Sequence, residues 1–531
     1  MKKILFILIS FALLTTTGCN RDFLDTLPTD AISGQELFTT VAGAEAIIVG
    51  TNRLRFCSFF VSRDLGMRTP HYMFGERALD LTLDGMTEDF YETGFGGWYS
   101  DRALLMQIQR NSITDISVVT PWLRFFRMID NVNQLIDNID LIEDGTPSER
   151  DFWLAQGLIY RAHLHHRLVQ IYALPLHSHP DNLGIPINIR AVNEEPLARS
   201  TVREVYDQIF ADLHQAVALL DDNPVNRNIS FASINVAHGI LARAYSNDRQ
   251  WDRVEYHANL ARQGHALMTG AQFRSGFSQR NNEWMWASIT PQDEMAGHAD
   301  LFFRIMSNGI GYTTSWGYRN AVSERVFMHA DTNDARFHGP VLHAGSRFVE
   351  TRYILGTDTI YVPANNMVTA TRMRLVTAGD TTVFNRFVYN KFFSDDGENA
   401  EMHYMRSAEF YLLEAEAMIQ QGNFAGARAN LQTLMDARTT GFDASSFADA
   451  DLLDEIKMQR RLEFWGEGIR FHDIRRWGIG VDRNETNAWE FFTSILAFDP
   501  AGLVVPFNDH QFWTFQIPRH EMDANPNMVQ N

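Results

Sequence analysis

Cysteine is nearly missing from this chain, and with it any disulfide framework. Only Cys19 and Cys57 occur among 531 residues. Cys19 has a special context, described below, which leaves one thiol without a partner. Positive charge is also short, with 46 Lys+Arg against 65 Asp+Glu and a formal net charge of -19. A surface of that sign repels phosphate backbones, which argues against nucleic acid as a partner and leaves a neutral solute such as a sugar open. Long apolar runs are missing outside the first residues. The run from Ile4 to Leu14, broken by Ser10, falls short of the roughly 20 residues that a bilayer span requires. What remains is an ordinary globular balance, 45% hydrophobic and 21% charged, which excludes long disorder. Aromatics are plentiful at 12%, with 11 Trp and 38 Phe, enough to leave some rings at a binding surface.

The first residues form an address. Lys2 and Lys3 precede the apolar run, and Thr15-Thr16-Thr17-Gly18-Cys19 follows it. That order is a secretory signal peptide ending in a lipobox-like site, with Thr16 where Leu is usual. Residues 1–18 are therefore expected to be removed and Cys19 to carry acyl chains. Each buried methylene contributes about 0.8 kcal/mol, so several chains hold a soluble body at a bilayer. Residues 19–35 then read as a polar tether to the first helix.

Most of the body has helical periodicity. Gln35 to Asn52 carries apolar residues at Leu37, Val41, Ala44, Ile47 and Ile48. Pro121 is read as opening a second helix through Ile139, and a third runs from about Ser148 to Tyr172 and stops before Pro175. Ser200 or Thr201 caps a fourth, with Glu204 placed for a capping box, and it ends near Leu220. Two later stretches look alike. Ala242 and Ala244 precede a polar turn and Trp251, and Ala415 and Ala417 precede Gly422 and Phe424. Small residues let paired helices approach, and the aromatic fills the groove past the turn, which is the logic of a tetratricopeptide-type pair. The fold class is thus mainly α: tetratricopeptide-like helix pairs forming a right-handed scaffold. A loop-rich insertion over residues 273–388, with short β-like runs such as Thr359-Ile360-Tyr361-Val362, interrupts it. The expected division is a helical region at 36–270 and a second region at 271–531 that includes this insertion.

Four stretches give the chain a family resemblance. They are Cys19 with Asp22-Phe23-Leu24-Asp25 and Pro28; Tyr160-Arg161-Ala162 leading to Leu168-Val169-Gln170-Ile171-Tyr172 and Gly184-Ile185-Pro186; Glu409 to Ala417; and Arg460-Arg461-Leu462-Glu463-Phe464-Trp465-Gly466-Glu467-Gly468 with Arg470, Asp473, Arg476 and Trp477. Together with the ending around Ile517-Pro518 and Asn525-Pro526, the sequence resembles the SusD/RagB family of nutrient-binding outer-membrane lipoproteins. Ala173 stands where that family usually has Gly. The resemblance implies helix pairs supporting an irregular binding face and a non-enzymatic role. It also implies a SusC-like TonB-dependent transporter as partner, and a glycan, less often a peptide, as ligand. It implies no cofactor.

Sugar rings present C–H faces that pack on flat aromatics, so rings in Gly- and Asn-rich loops are the informative pattern. Three clusters meet it: Trp98 and Tyr99 after Gly94-Phe95-Gly96-Gly97; Trp284 and Trp286, which alternate onto one face of a strand; and Tyr312, Trp316 and Tyr318 with Arg319 and Asn320. Trp122, Trp153, Trp465 and Trp477 lie on helical patterns and are read as core. The charged stretch from Glu463 to Arg476 reads as a structural ion-pair network where the last helices meet. His163, His165, His166, His177 and His179 lack a completing ligand and read as solvated or hydrogen-bonded, not as a metal site. Asp395-Asp396-Gly397-Glu398-Asn399 lacks EF-hand spacing and reads as an acidic turn. Gly-x-Ser-x-Gly, His-Glu-x-x-His and phosphate-loop motifs are absent from the sequence. Two other functions stay open on the residues alone: a secreted glycosidase, whose paired carboxylates are set by fold and not by spacing, and an adaptor that binds only protein.

Overall fold

A computed structural model describes residues 36–56, 74–93, 99, 113–222, 227–289, 301–307, 319–330, 333–336, 352–355, 358–361, 372–377, 380–385, 389, 391–393, 401–483, 504–507 and 513–531. The first half is helical. Thr40, in an extended conformation, separates a single turn at Glu36–Thr39 from α1 (Val41–Arg53) and caps it by accepting from the Gly43 N–H. The expected continuous helix is therefore two pieces. α2 (Glu76–Gly85) and the strand β1 (Phe90–Thr93) follow. α3 spans Ile116–Asp137, because Asp115 accepts from the Ser117 N–H and starts the helix before Pro121. Pro121 thus lies inside α3, where it removes one i−4 hydrogen bond, and does not open it. α4 (Pro147–Tyr172) and α5 (Val202–Asp222) begin with reciprocal capping boxes, Thr146 with Glu149 and Thr201 with Glu204. α6 (Ile234–Asp248) and α7 (Trp251–Arg262) complete this half.

The region read as a loop-rich insertion holds more regular structure than expected. β2 (Trp284–Ser288), α8 (Leu301–Met306), β3 (Arg319–Val322) and α9 (Glu324–His329) come first. An antiparallel sheet follows, made of β4 (Arg352–Leu355), β5 (Asp358–Tyr361), β6 (Arg372–Thr377) and β7 (Asp380–Asn385) in the order β5-β4-β6-β7. Two of its joins, Gly356-Thr357 and Ala378-Gly379, have the length and glycine content that select hairpins. β8 (Met402–Arg406) pairs with β2 across a register shift at Trp286.

The last third returns to helix pairs: α10 (Ala408–Gln420) with α11 (Phe424–Asp436), then α12 (Leu452–Glu463) and α13 (Ile469–Trp477). Ala242, Ala244, Ala415 and Ala417 are all fully buried, as the small-residue pattern requires. The two pairs stack directly, since Glu414 of α10 accepts from Arg262 (2.6 Å) and Asn259 (3.0 Å) of α7. The largest apolar core joins α3 to α6 through Trp122, Phe125, Trp153, Leu164 and Ile209. A second core gathers Phe74, Phe90, Phe302, Val322, Phe392 and Trp465 beneath β1 and β3. Among the described residues, no helix is long and apolar enough to cross a membrane.

Candidate functional site

β1 and β3 form an antiparallel ribbon in the register Phe90↔Val322, Glu92↔Asn320 and Thr93↔Arg319. The chain leaves β1 at residue 94 and enters β3 from residue 318, so both connections meet the ribbon at the same end. These are the segments with Trp98 and with Tyr312, Trp316 and Tyr318. The Tyr99 N–H donates to the Glu92 carboxylate, and the Tyr99 ring is buried.

The base of the ribbon is clamped by the charged motif after α12. Asp89 precedes β1 and takes two hydrogen bonds from the Arg461 guanidinium, one from Ser323 Oγ (3.2 Å) and, on its carbonyl, one from Trp465 Nε1 (3.0 Å). Burial alone would push the Asp89 carboxyl up; Arg461 outweighs it and holds the group below the usual range. Trp465 packs against Phe90 at 5.3 Å and Tyr389 at 4.8 Å, and the Tyr389 N–H donates to Asn320 O (3.0 Å). Behind this clamp, Glu463 and Glu467 are enclosed by Arg336, Arg406, Arg438 and Lys391. Arg460 and Arg476 share Asp473, and Arg476 also pairs with Glu416 at 2.6 Å. The expected ion-pair network is therefore present, and it supports the ribbon from below.

The turn carrying these residues depends on Gly468, at φ 75°, whose N–H donates to Asp84 (2.9 Å). A Cβ there would lie 2.6 Å from the Asp80 Cβ. Gly468→Ala should cost at least about 2 kcal/mol, from the left-handed backbone and this overlap. An unchanged melting curve would refute the role assigned to this turn.

The structure separates the sequence candidates. Trp284 and Trp286 are 1% and 0% exposed, which overturns their reading as a ligand platform. Alternation places two rings on one face, but both faces of β2 are covered: Trp284 packs against His403 (5.0 Å), and Trp286 against Tyr160 and His163 (both 5.1 Å). Arg55 is also inserted between Trp286 and Tyr404. Tyr99 and Asn320 are likewise buried, and Asn320 Nδ2 donates to Ile305 O (2.6 Å), so both anchor the ribbon and do not face a solute. Of Arg319, the backbone alone is described, as the first residue of β3. Trp98, Tyr312, Trp316, Tyr318, Cys19 and the acidic turn at 395–399 lie outside the described residues. Trp122, Trp153 and Trp465 are core, whereas Trp477 is only half-buried and donates to Glu416 (2.8 Å). His163, His165 and His166 are buried on α4, not solvated, and His163 alone of them has a charged partner, Glu76 at 3.1 Å. Among the described residues, no group of three or more His, Cys, Asp or Glu is placed to hold a metal ion.

Sequence reading missed the acidic stripe of α2. Glu76, Asp80, Asp84 and, just beyond the helix, Glu88 recur at four-residue spacing, and all are buried. Arg55, Arg77 with Arg167, and Arg470 meet three of them. Among the described residues, the Asp84 carboxyl accepts only from the Gly468 N–H, and burial pushes it well up. The i,i+4 repeat of acids alternating with Leu79, Leu81 and Leu83 was the available signal.

Stacked helix pairs carrying an inserted β1–β3 ribbon define a tetratricopeptide-like scaffold. Comparison with known families carries this further. The SusD family model matches residues 246–531, and a second model, described as starch-binding associating with outer membrane, matches residues 82–246. The chain belongs to the SusD family. Solved structures agree in fold. A SusD-like carbohydrate binding protein from Bacteroides vulgatus ATCC 8482 is 23% identical, with a TM-score of 0.69 over 92% of this chain and 98% of that one. A SusD superfamily protein from Bacteroides thetaiotaomicron VPI-5482 is 20% identical, with a TM-score of 0.71 over 93% and 100%. Surface glycan-binding protein A from Bacteroides uniformis is 17% identical, with a TM-score of 0.62 over 93% and 99%. No curated protein matches the sequence.

Proposed function

We propose that this protein captures nutrient oligosaccharides at the cell surface, moored to the outer membrane by acyl chains on Cys19. In this reading it passes them to a SusC-like TonB-dependent transporter without catalysing any reaction. The observation that supports the reading is the β1–β3 register, in which Thr93 lies opposite Arg319, so that β1 ends and β3 begins at one end of the ribbon; the reading assigns Trp98 and Tyr312–Tyr318 to a solute at that end. A clamped base with aromatic segments at the free end suits a solute bound by ring faces and turned over slowly or not at all. Family membership, the outer-membrane description of the second model and the glycan-binding relatives support the same reading.

Calorimetric titration of the mature protein against a panel of neutral oligosaccharides tests it. One or more should bind saturably, with no reducing sugar released over hours. Trp98→Ala and Trp316→Ala should each weaken that binding about 30-fold, the loss of a ring contact of about 2 kcal/mol. Unchanged affinity in both variants would refute the assignment of this end. Sugar release would favour a glycosidase. Binding confined to peptides would move the ligand class.

A further inference from the structure

The four-stranded sheet of the insertion has two unlike faces. Residues opposite one another in an antiparallel ladder share a face, and the faces alternate along each strand. The registers Arg352↔Tyr361, Ile354↔Arg374 and Arg372↔Asn385 therefore put Arg352, Arg372, Arg374, Tyr361 and Asn385 on one face. The registers Tyr353↔Ile360, Tyr353↔Leu375 and Met373↔Phe384 put Tyr353, Leu355, Ile360, Met373, Leu375 and Phe384 on the other. Every basic residue of the four strands thus falls on the first face, and both acidic ones, Asp358 and Asp380, on the second. Elsewhere arginines meet carboxylates, as Arg55 meets Glu76, Arg161 meets Asp212 and Arg461 meets Asp89. Like charges gathered on one sheet face cost stability. Charges that guard a sheet against edge pairing belong on its outer strands, whereas these arginines lie on β4 and β6, the inner strands of the order β5-β4-β6-β7. A counter-charge brought from outside the sheet accounts for them.

We propose that this face binds acidic oligosaccharides, those bearing carboxylate or sulfate groups, an assignment that rests on the glycan-capture reading and narrows its ligand class. Arginine matches both groups with paired hydrogen bonds, which a neutral sugar cannot answer in the same way. Arg372 and Arg374 stand about 7 Å apart along β6, and Arg352, diagonal to Arg374 across the β4–β6 ladder, stands about 7–8 Å from it. The three positions suit a short run of sugar units that carries repeated charge. Tyr361 opposite Arg352 adds a ring for a C–H face, and Asn385 opposite Arg372 adds an amide for hydroxyls. With a formal net charge of -19 the molecule as a whole repels anions, so an acidic sugar needs a local basic surface to be held. The apolar second face is the one that a half-solvated antiparallel sheet covers.

Calorimetry of the full-length mature protein with matched probes is the test: oligogalacturonate against its methyl ester, and a sulfated galactan oligosaccharide against its desulfated form. At least one acidic probe should bind about tenfold or more tighter than its neutral form, and the advantage should shrink as sodium chloride is raised. Which probe binds distinguishes carboxylate from sulfate. Arg352→Gln, Arg372→Gln and Arg374→Gln should each weaken the acidic probe about tenfold and leave any affinity for the neutral form unchanged. Asp358→Asn, on the other face, should leave the acidic probe's affinity as it was. Circular dichroism of each variant separates lost binding from lost fold. Equal affinity for acidic and neutral forms would overturn the assignment while leaving glycan capture standing. Failure of every saccharide to bind would remove glycan capture itself, and this assignment with it. Equally tight binding of polyglutamate would overturn the choice of a sugar and make the face a site for acidic peptide.

Discussion

Glu463→Gln is expected to destabilise the protein by about 3–5 kcal/mol, the usual cost of removing one member of a buried charge cluster. Glu463 is fully buried and receives Arg406 Nη1 at 2.6 Å, Arg438 Nη2 at 2.8 Å and Arg336 Nη1 at 3.3 Å. Burial would raise its carboxyl, but those guanidiniums hold it far below the usual range. The amide keeps the shape and loses the charge, so guanidiniums remain sealed together without their shared counter-ion. Asp137→Asn is the matched control. Its partner Arg190 is 69% exposed, and such a pair contributes about 0–1 kcal/mol. Thermal unfolding of both variants decides it. Equal melting temperatures would mean that the cluster around Glu463 is not what holds α12 to β8.

The second large effect is acid sensitivity that begins unusually high. Burial lowers His163 to about 4, with Glu76 opposing, and lowers His165 and His403 to about 3, from an ordinary 6.5. Below pH 6.5 the unfolded chain takes up protons that these folded imidazoles refuse. Their stabilising share is therefore complete above 6.5 and is lost as pH falls towards 4 and 3. Each imidazole should withdraw about 2 kcal/mol between about pH 7.5 and pH 5. The network carboxylates, Glu467 among them, burial opposing but Arg406 and Lys391 holding it low, add their loss only below about 4.5. Asp84, raised by burial, works in the opposite sense and offsets part of the fall. Urea unfolding at the two pH values should show a marked drop. Among the described residues, neither ring nitrogen of His165 has a hydrogen-bond partner, so His165→Leu should be more stable than the parent at about pH 5 by about 2 kcal/mol. A flat profile, or a leucine variant weaker at both pH values, would contradict this account.

Local signals carried much of the helical scaffold. Thr201 with Glu204 marked the start of α5, and Ala242, Ala244, Ala415 and Ala417 marked the close helix pairs, because caps and small-residue contacts are written within a few residues. The stretch from Glu463 to Arg476 was legible as an ion network because acids and bases crowd together there in a pattern that matches a non-enzymatic family. Pro121 misled because the cap that starts α3, Asp115, outranks the preference of proline for a first turn. Trp284 and Trp286 misled differently, since a period of two says which side a ring takes and not whether that side meets water. The ribbon was out of reach, since nothing near Thr93 specifies Arg319 as its partner.

The hydrogen bond from Arg461 to Asp89 spans 372 positions of the chain. A ribosome working at roughly 5–20 residues per second delivers the second of these residues roughly 20–70 s after the first. During that interval the strand after Asp89 has neither its guanidinium nor its indole. Seating the ribbon is thus a late event in the making of each molecule, and a nascent chain halted before Arg461 would lack it however well its early helices had formed.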